Sequence, residues 1–169
     1  SGSFKSLASQ EYVDLAHEYG VQVWALLDNF SSDVQTEVLL ASTTTRRKLI
    51  NSLMAEVEKY GIDGLNMDFE SLKPEAGIHY IQFLRELSIP CREKGIILSV
   101  DNYVPTSYNT FYDLEEQGIV ADYVIIMGYD EHWHGSGDPG SVASIDYVKG
   151  GIERTMEDVP AEKIVNALP

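Results

Sequence analysis

Cysteine is almost absent from this chain of 169 residues; Cys91 is the only one. That excludes an intramolecular disulfide and the paired-cysteine spacing of a zinc finger. Basic residues are scarce as well, with 12 Lys and Arg against 27 Asp and Glu and a net charge of −15. A chain with so little positive charge is a poor partner for nucleic acid or for an anionic membrane surface, both of which select a basic face. No apolar run approaches the roughly 18 residues a membrane-spanning helix needs. The N-terminus lacks the charged-then-apolar pattern of a secretion signal, but the sequence reads as an excised piece, so this absence excludes nothing. Internal repeats, low-complexity tracts and linkers are also missing.

What remains is an ordinary globular composition, 44% hydrophobic and 23% charged, long enough for one domain with a substantial core. Short apolar, β-branched runs recur at 21–27, 64–69, 96–100, 123–127 and 163–167. Between them lie segments of helical period near 9–19, 44–60, 75–94, 108–117 and 145–157, with Leu49, Leu53, Val57 and Tyr60 as one example of the spacing. Strand alternating with helix predicts a parallel α/β sheet with crossover helices. Gly20, Gly61, Gly95 and Gly118 each fall where a helix would end. Five strands fit either a complete doubly wound sheet or a slice of an eight-stranded barrel, which usually takes about 250 residues.

Polar residues gather at the C-terminal ends of the strands. Asp28 and Asn29 follow the first, Asp68 and Glu70 end the second, Asp101 and Asn102 follow the third, and Tyr129, Asp130, Glu131 and His132 follow the fourth. Ligands bind at this edge in both candidate folds. Taken singly, Asp28 or Asp101 is equally well explained as a helix cap. The second strand is harder to explain that way. Asn66, Asp68 and Glu70 alternate with Leu65, Met67 and Phe69, which puts three polar groups on one face. Both faces of a parallel sheet are normally covered, so these carboxylates point into the interior. Two carboxylates buried together raise at least one pKa, which is how a protein keeps a general acid protonated near neutral pH.

Asp63-Gly64-Leu65-Asn66-Met67-Asp68-Phe69-Glu70 resembles the Asp-Gly-x-Asp-x-Asp-x-Glu signature of glycoside hydrolase family 18, the chitinase-like (β/α)8 barrels, where it ends the fourth strand. Only Asn66 departs from it, standing where many members have Asp. Met127-Gly128-Tyr129-Asp130 is similar to the Met-x-Tyr-Asp that ends the family's sixth strand. The stretch 129–144 resembles the bacterial branch of spore-cortex and cell-wall N-acetylglucosaminidases, and 163–169 resembles the start of the seventh strand. The resemblance implies a TIM barrel of which residues 1–169 are one incomplete domain, from the helix before strand three to strand seven.

The resemblance also implies a chemistry. In this family one carboxylic acid protonates the glycosidic oxygen, and the substrate's own 2-acetamido carbonyl attacks the anomeric carbon in place of an enzyme nucleophile. By position, Glu70 is the acid and then the base that activates water. Asp68 orients the acetamide, and Tyr129 hydrogen-bonds its carbonyl. Asp130 and Met127 belong to the sugar-binding pocket, with Tyr103, His132 and Trp133 as further subsite residues. Asn66 is expected to hydrogen-bond Asp68 without being able to share a proton with it. The implied substrate is an N-acetylglucosamine-containing polysaccharide, peptidoglycan or chitin, cut outside the cell, in the wall or in the spore envelope, with no cofactor and no metal. Two rivals stand beside this reading. One is a metal enzyme built on carboxylates at successive strand ends (Asp68, Glu70, Asp101, Asp130). The other is a non-catalytic carbohydrate-binding relative, a class that usually replaces the acid, whereas Glu70 is present. An open barrel also exposes two sheet edges and an apolar interior, so edge-to-edge self-association is expected of the isolated chain.

Overall fold

The structure, a computed structural model, describes residues 2–31 and 35–169. Its elements run α1 (Gln10–Glu18), β1 (Trp24–Asp28), α2 (Thr36–Ala41), α3 (Thr43–Tyr60), β2 (Gly64–Asp68), α4 (Gly77–Lys94), β3 (Ile97–Tyr103), α5 (Leu114–Val120), β4 (Tyr123–Met127), α6 (Ile145–Thr155) and β5 (Ile164–Ala167). All four strand pairings are parallel and the spatial order is β1-β2-β3-β4-β5. A doubly wound sheet reverses its order at a switch point; this one never does. With right-handed crossovers, an unreversed order puts every helix on the same side of the sheet. The result is an arc of a (β/α) barrel, helices outside and one sheet face inside.

The outward face of the strands makes the core. Leu65 and Met67 on β2 and Leu98 and Val100 on β3 are buried in one cluster with Leu49, Leu53 and Val57 of α3 and Tyr80, Phe83, Leu84 and Leu87 of α4, while Val124 and Ile126 on β4 are buried in a second cluster with Val104 and Val159. Each such side chain contributes about 1.5–3 kcal/mol. Arg46 of α3 is also buried, clamped by both carboxylate oxygens of Glu86 at 2.8 and 2.9 Å and by the Leu40 carbonyl at 2.7 Å. It holds α2 and α4 against α3.

The inner face has a floor of aromatic rings. Trp24 of β1 stacks on Tyr123 of β4 with centroids 5.5 Å apart, and this partly buried pairing fits Trp24 as a packing residue. The Trp24 ring lies over Gly64, where a Cβ would come within 2.8 Å of its Cγ and Cδ1. That explains the glycine after Asp63. Asp63 itself ties β1 to β2, accepting the Val23 N–H at 2.7 Å and His17 Nε2 at 2.8 Å.

Three expectations need correction. The helix expected at 108–117 is a short 3-10 turn at Thr110–Tyr112 and then α5, separated by Asp113 at φ 53°. Gly118 does not end a helix; it lies inside α5, packed on Val159. Helix α2 had no counterpart in the expected elements. The free side of β1 borders an apolar groove of about 710 Å³ lined by Phe4, Leu7, Val13, Leu26 and Leu53, with Asp28 and Asn29 also on its wall.

Candidate active site

Glu70 stands just past β2 on a backbone held from three directions. Asn29, after β1, continues the strand pairing with its side chain: its Oδ1 accepts the Glu70 N–H and its Nδ2 donates to the Glu70 carbonyl, both at 2.9 Å. Tyr112 donates to the Phe69 carbonyl at 3.1 Å and accepts the Leu72 N–H at 3.3 Å. Tyr103, at the end of β3, donates its hydroxyl to Glu70 Oε2 at 2.6 Å and accepts the Ser71 N–H at 3.3 Å. Between these clamps Ser71 is forced to φ 54°, a conformation a non-glycine residue adopts only when its surroundings impose it.

Asp68, two residues back on the same face, is only 8% exposed, and its Oδ1 is buried with no hydrogen-bond partner among the described residues. Burial, followed by the neighbouring charges of Asp101, Glu70 and Asp28, pushes its carboxyl up to about 6. Asp101 is raised too, by burial first and the Glu70 charge, partly offset by its bond from Asn66. Burial, then the hydrogen bond to Glu70, pushes the Tyr103 phenol up to about 12. Among the described residues, no Lys, Arg or His forms an ion pair with Asp28, Asp68, Glu70 or Asp101.

The remaining expected residues fall as follows. Tyr129 follows β4, half-buried. Burial, and then the charges of Asp101, Asp68, Glu70 and Asp130, raise its phenol, so it faces the same carboxylates. Its carbonyl accepts the Tyr147 hydroxyl at 3.3 Å. Met127 ends β4, paired with Tyr103 on one side and Ala167 on the other. Asp130 is exposed at φ 61°. His132 and Trp133 lie on a loop whose neck is closed by Glu131, which accepts the Ser144 N–H and hydroxyl at 2.7 and 2.9 Å. Trp133 is 60% exposed there, and no ring contact or hydrogen bond ties it to the carboxylates among the described residues. Asn66 departs from expectation. Its Nδ2 donates to Asp101 Oδ2 and its Oδ1 accepts from Ser99, both at 2.7 Å, so it serves β3 and leaves Asp68 alone.

The two clamps at 29 and 112 were not foreseen. Asn29 had a signal, being polar at a strand end. Tyr112 had none, since it read as one aromatic in a helix. Among the described residues, no three His, Cys, Asp or Glu side chains are placed to hold a metal ion.

Comparison with known proteins agrees with this fold. Residues 7–169 match the family model described as glycosyl hydrolases family 18. The chain is 34% identical over 143 residues to a cortical fragment-lytic enzyme of Bacillus anthracis, covering 81% of this chain and 33% of that protein. The crystal structure of the Bacillus cereus spore cortex-lytic enzyme SleL superposes with a TM-score of 0.87 at 29% identity, over 98% of this chain and 39% of that one. A chitinase from Chromobacterium violaceum, at 24% identity, shares the fold with a TM-score of 0.86, over 97% of this chain and 54% of its own. The chain spans half the length of one matched Bacillus relative and a third of another. A family match over residues 7–169, on an unreversed parallel arc of a (β/α) barrel, makes this chain a member of glycosyl hydrolases family 18.

Proposed function

We propose that this chain is the core of a glycosidase that cleaves β-1,4 bonds next to N-acetylglucosamine in cell-wall or spore-cortex peptidoglycan, with retention and with the substrate's acetamide as nucleophile. The observation that carries the reading is Asp68 Oδ1, buried beside Glu70 with no hydrogen-bond partner among the described residues. A buried acceptor without a donor is costly, and a ligand N–H relieves that cost. An acetamide supplies such an N–H, and orienting it there turns its carbonyl toward the anomeric carbon. Glu70 then donates its proton to the glycosidic oxygen as the bond to the anomeric carbon breaks. The oxazolinium that forms is faced by Asp68, and Tyr129 hydrogen-bonds the acetamide oxygen. On the return step Glu70 takes a proton from the attacking water. Asp130, Met127, His132 and Trp133 contribute to sugar binding.

The branch resemblance and the names of the matched Bacillus proteins support a glycan of the wall or spore envelope over chitin, and a site of action there. The isolated chain, with the β1 edge and its apolar groove uncovered, is expected to self-associate, and a monodisperse monomer in light scattering would refute that. The deciding experiment for the activity is hydrolysis of purified peptidoglycan and of a chromogenic N-acetylglucosamine oligomer by the full-length protein and its Glu70→Gln variant. Activity that Glu70→Gln abolishes is expected. A folded protein inactive on both polymers would refute the reading.

A further inference from the structure

The hold on Glu70 extends to a buried amide pair on the outer side of the sheet. Asn102 and Tyr103 are adjacent on β3, so they point to opposite faces. Tyr103 grips the Glu70 carboxyl on the inner face. Asn102 is buried on the outer face against Gln117 of α5, itself fully buried. The two amides close a ring, Asn102 Nδ2 donating to Gln117 Oε1 at 2.7 Å and Gln117 Nε2 donating to Asn102 Oδ1 at 3.0 Å. Gln117 Nε2 also donates to the Tyr112 carbonyl at 2.8 Å, and Asn102 Nδ2 to the Val100 carbonyl at 3.3 Å.

Two buried amides pack no better than two apolar side chains, and every polar atom they bring has to be satisfied. What this pair supplies is a donor for the Tyr112 carbonyl. That carbonyl ends the 3-10 turn at Thr110–Tyr112, and the left-handed Asp113 then leads the chain into α5, so the group lies outside the helix ladder. The turn is seated on α4 at Gly77, where a Cβ would come within 2.4 Å of the Phe111 carbonyl oxygen. It also borders a cleft of about 180 Å³ lined by Asn109, Thr110, Tyr112 and Asp113, so packing alone does not confine it.

We infer that Gln117 is a positioning residue for Glu70. Anchored by Asn102 on β3, it fixes the Tyr112 backbone, and the Tyr112 hydroxyl carries that position to the Phe69 carbonyl at 3.1 Å and the Leu72 N–H at 3.3 Å, on either side of Glu70. The inference rests on the acid role proposed for Glu70. Tyr103 sets the carboxyl, Gln117 through Tyr112 sets the backbone that carries it, and both take their reference from consecutive residues of one strand. Loss of the Gln117 bond lets Glu70 drift relative to Tyr103 while Asp68, inside β2, stays in register.

The test places Gln117→Met, which keeps the side-chain length and removes the amide, in the full-length protein, alone and together with Tyr112→Phe. On the polymer that the wild type cuts, kcat is expected to fall about tenfold with KM little changed. Added to Tyr112→Phe, the same replacement is expected to change kcat by less than about twofold, because the hydroxyl through which it acts is gone. In amide hydrogen exchange Leu72 is expected to lose about tenfold or more of its protection while the β2–β3 ladder keeps its own. A purely structural Gln117 would lower the urea midpoint and leave kcat of the folded protein and Leu72 exchange unmoved. Additive effects in the double variant, or unchanged Leu72 exchange, would overturn the inference. If Gln117→Met fails to fold, Gln117→Asn, one methylene too short to reach both Asn102 and the Tyr112 carbonyl, is read by the same measurements. Deprotected Leu72 in a protein that hydrolyses neither polymer would keep the link from Gln117 to the Glu70 backbone and overturn the hydrolase reading. An active hydrolase in which Gln117→Met moves neither kcat nor Leu72 exchange would do the reverse.

Discussion

Replacing Asp68 with Asn should make the protein more stable and inactive at once. The folded carboxyl is raised from 3.8 to about 6, so the native state binds this proton more tightly than the unfolded chain does. Between about pH 4 and pH 6 the folded form retains the proton that the unfolded form has lost, and stability falls as pH rises through that window. Above about pH 6 the cost is complete. Two units at 1.36 kcal/mol each amount to about 3 kcal/mol at pH 7, and fade to nothing below about pH 4. Asn is isosteric, carries no charge, and brings an N–H that can donate to Asp101. Urea unfolding of full-length wild type and Asp68→Asn at pH 4, 5.5 and 7, beside peptidoglycan hydrolysis, measures both effects. The expected result is a variant stabilised by about 3 kcal/mol at pH 7, by about 2 kcal/mol at pH 5.5, by about 0.5 kcal/mol at pH 4, and without activity. A gain below about 1 kcal/mol at pH 7, or one equally large at pH 4, would refute the electrostatic account.

Three other perturbations probe the same framework. Tyr103→Phe removes the 2.6 Å bond to Glu70 and the acceptor for the Ser71 N–H at a partly exposed position, so kcat should fall about tenfold with KM little changed and the circular dichroism spectrum intact, as expected for about 1.4 kcal/mol of lost positioning. Arg46→Ala strands Glu86 and the Leu40 carbonyl beside a buried gap and should cost about 3–5 kcal/mol in denaturant unfolding without altering the pH profile of hydrolysis. Activity of the full-length protein should survive EDTA, because among the described residues no three His, Cys, Asp or Glu side chains are placed to hold a metal ion; loss restored by Mg²⁺ would favour the metal-enzyme rival.

How far the sequence reveals this molecule depends on whether a feature is local. The five strands and the polar face of Asn66, Asp68 and Glu70 were visible because side-chain period two is written along the chain. Strand order is a tertiary fact, and periodicity alone left a barrel slice and a doubly wound sheet open until the pairings showed no reversal. Helix α2 escaped notice because Thr36–Ala41 is under two turns long, too short for a clear moment. The 108–117 segment misled because Asp113 in left-handed geometry splits it. Asn66 was assigned the wrong partner for a similar reason: sequence shows that it shares a face with Asp68 but not that Asp101 and Ser99, on the next strand, compete for its amide.

That competition bears on how the site keeps Glu70 in place. The acid role proposed for Glu70 needs a carboxyl fixed to within a fraction of an ångström, yet Glu70 lies past the end of β2, where ladder hydrogen bonds have stopped. Asn29 replaces the missing β1 rung, Tyr112 holds the residues on either side, and Tyr103 grips the carboxyl itself. These side chains come from the ends of β1 and β3 and from the loop before α5, so Glu70 is aligned only when three βα units are packed together. The left-handed Ser71 and the uncompensated Asp68 both cost stability, and the packed strands under them, Met67, Leu98, Val100 and Val124 among them, offset that cost. A polar, strained rim therefore stands on a close-packed apolar sheet, and loosening the sheet should disturb Glu70 before it unfolds the domain.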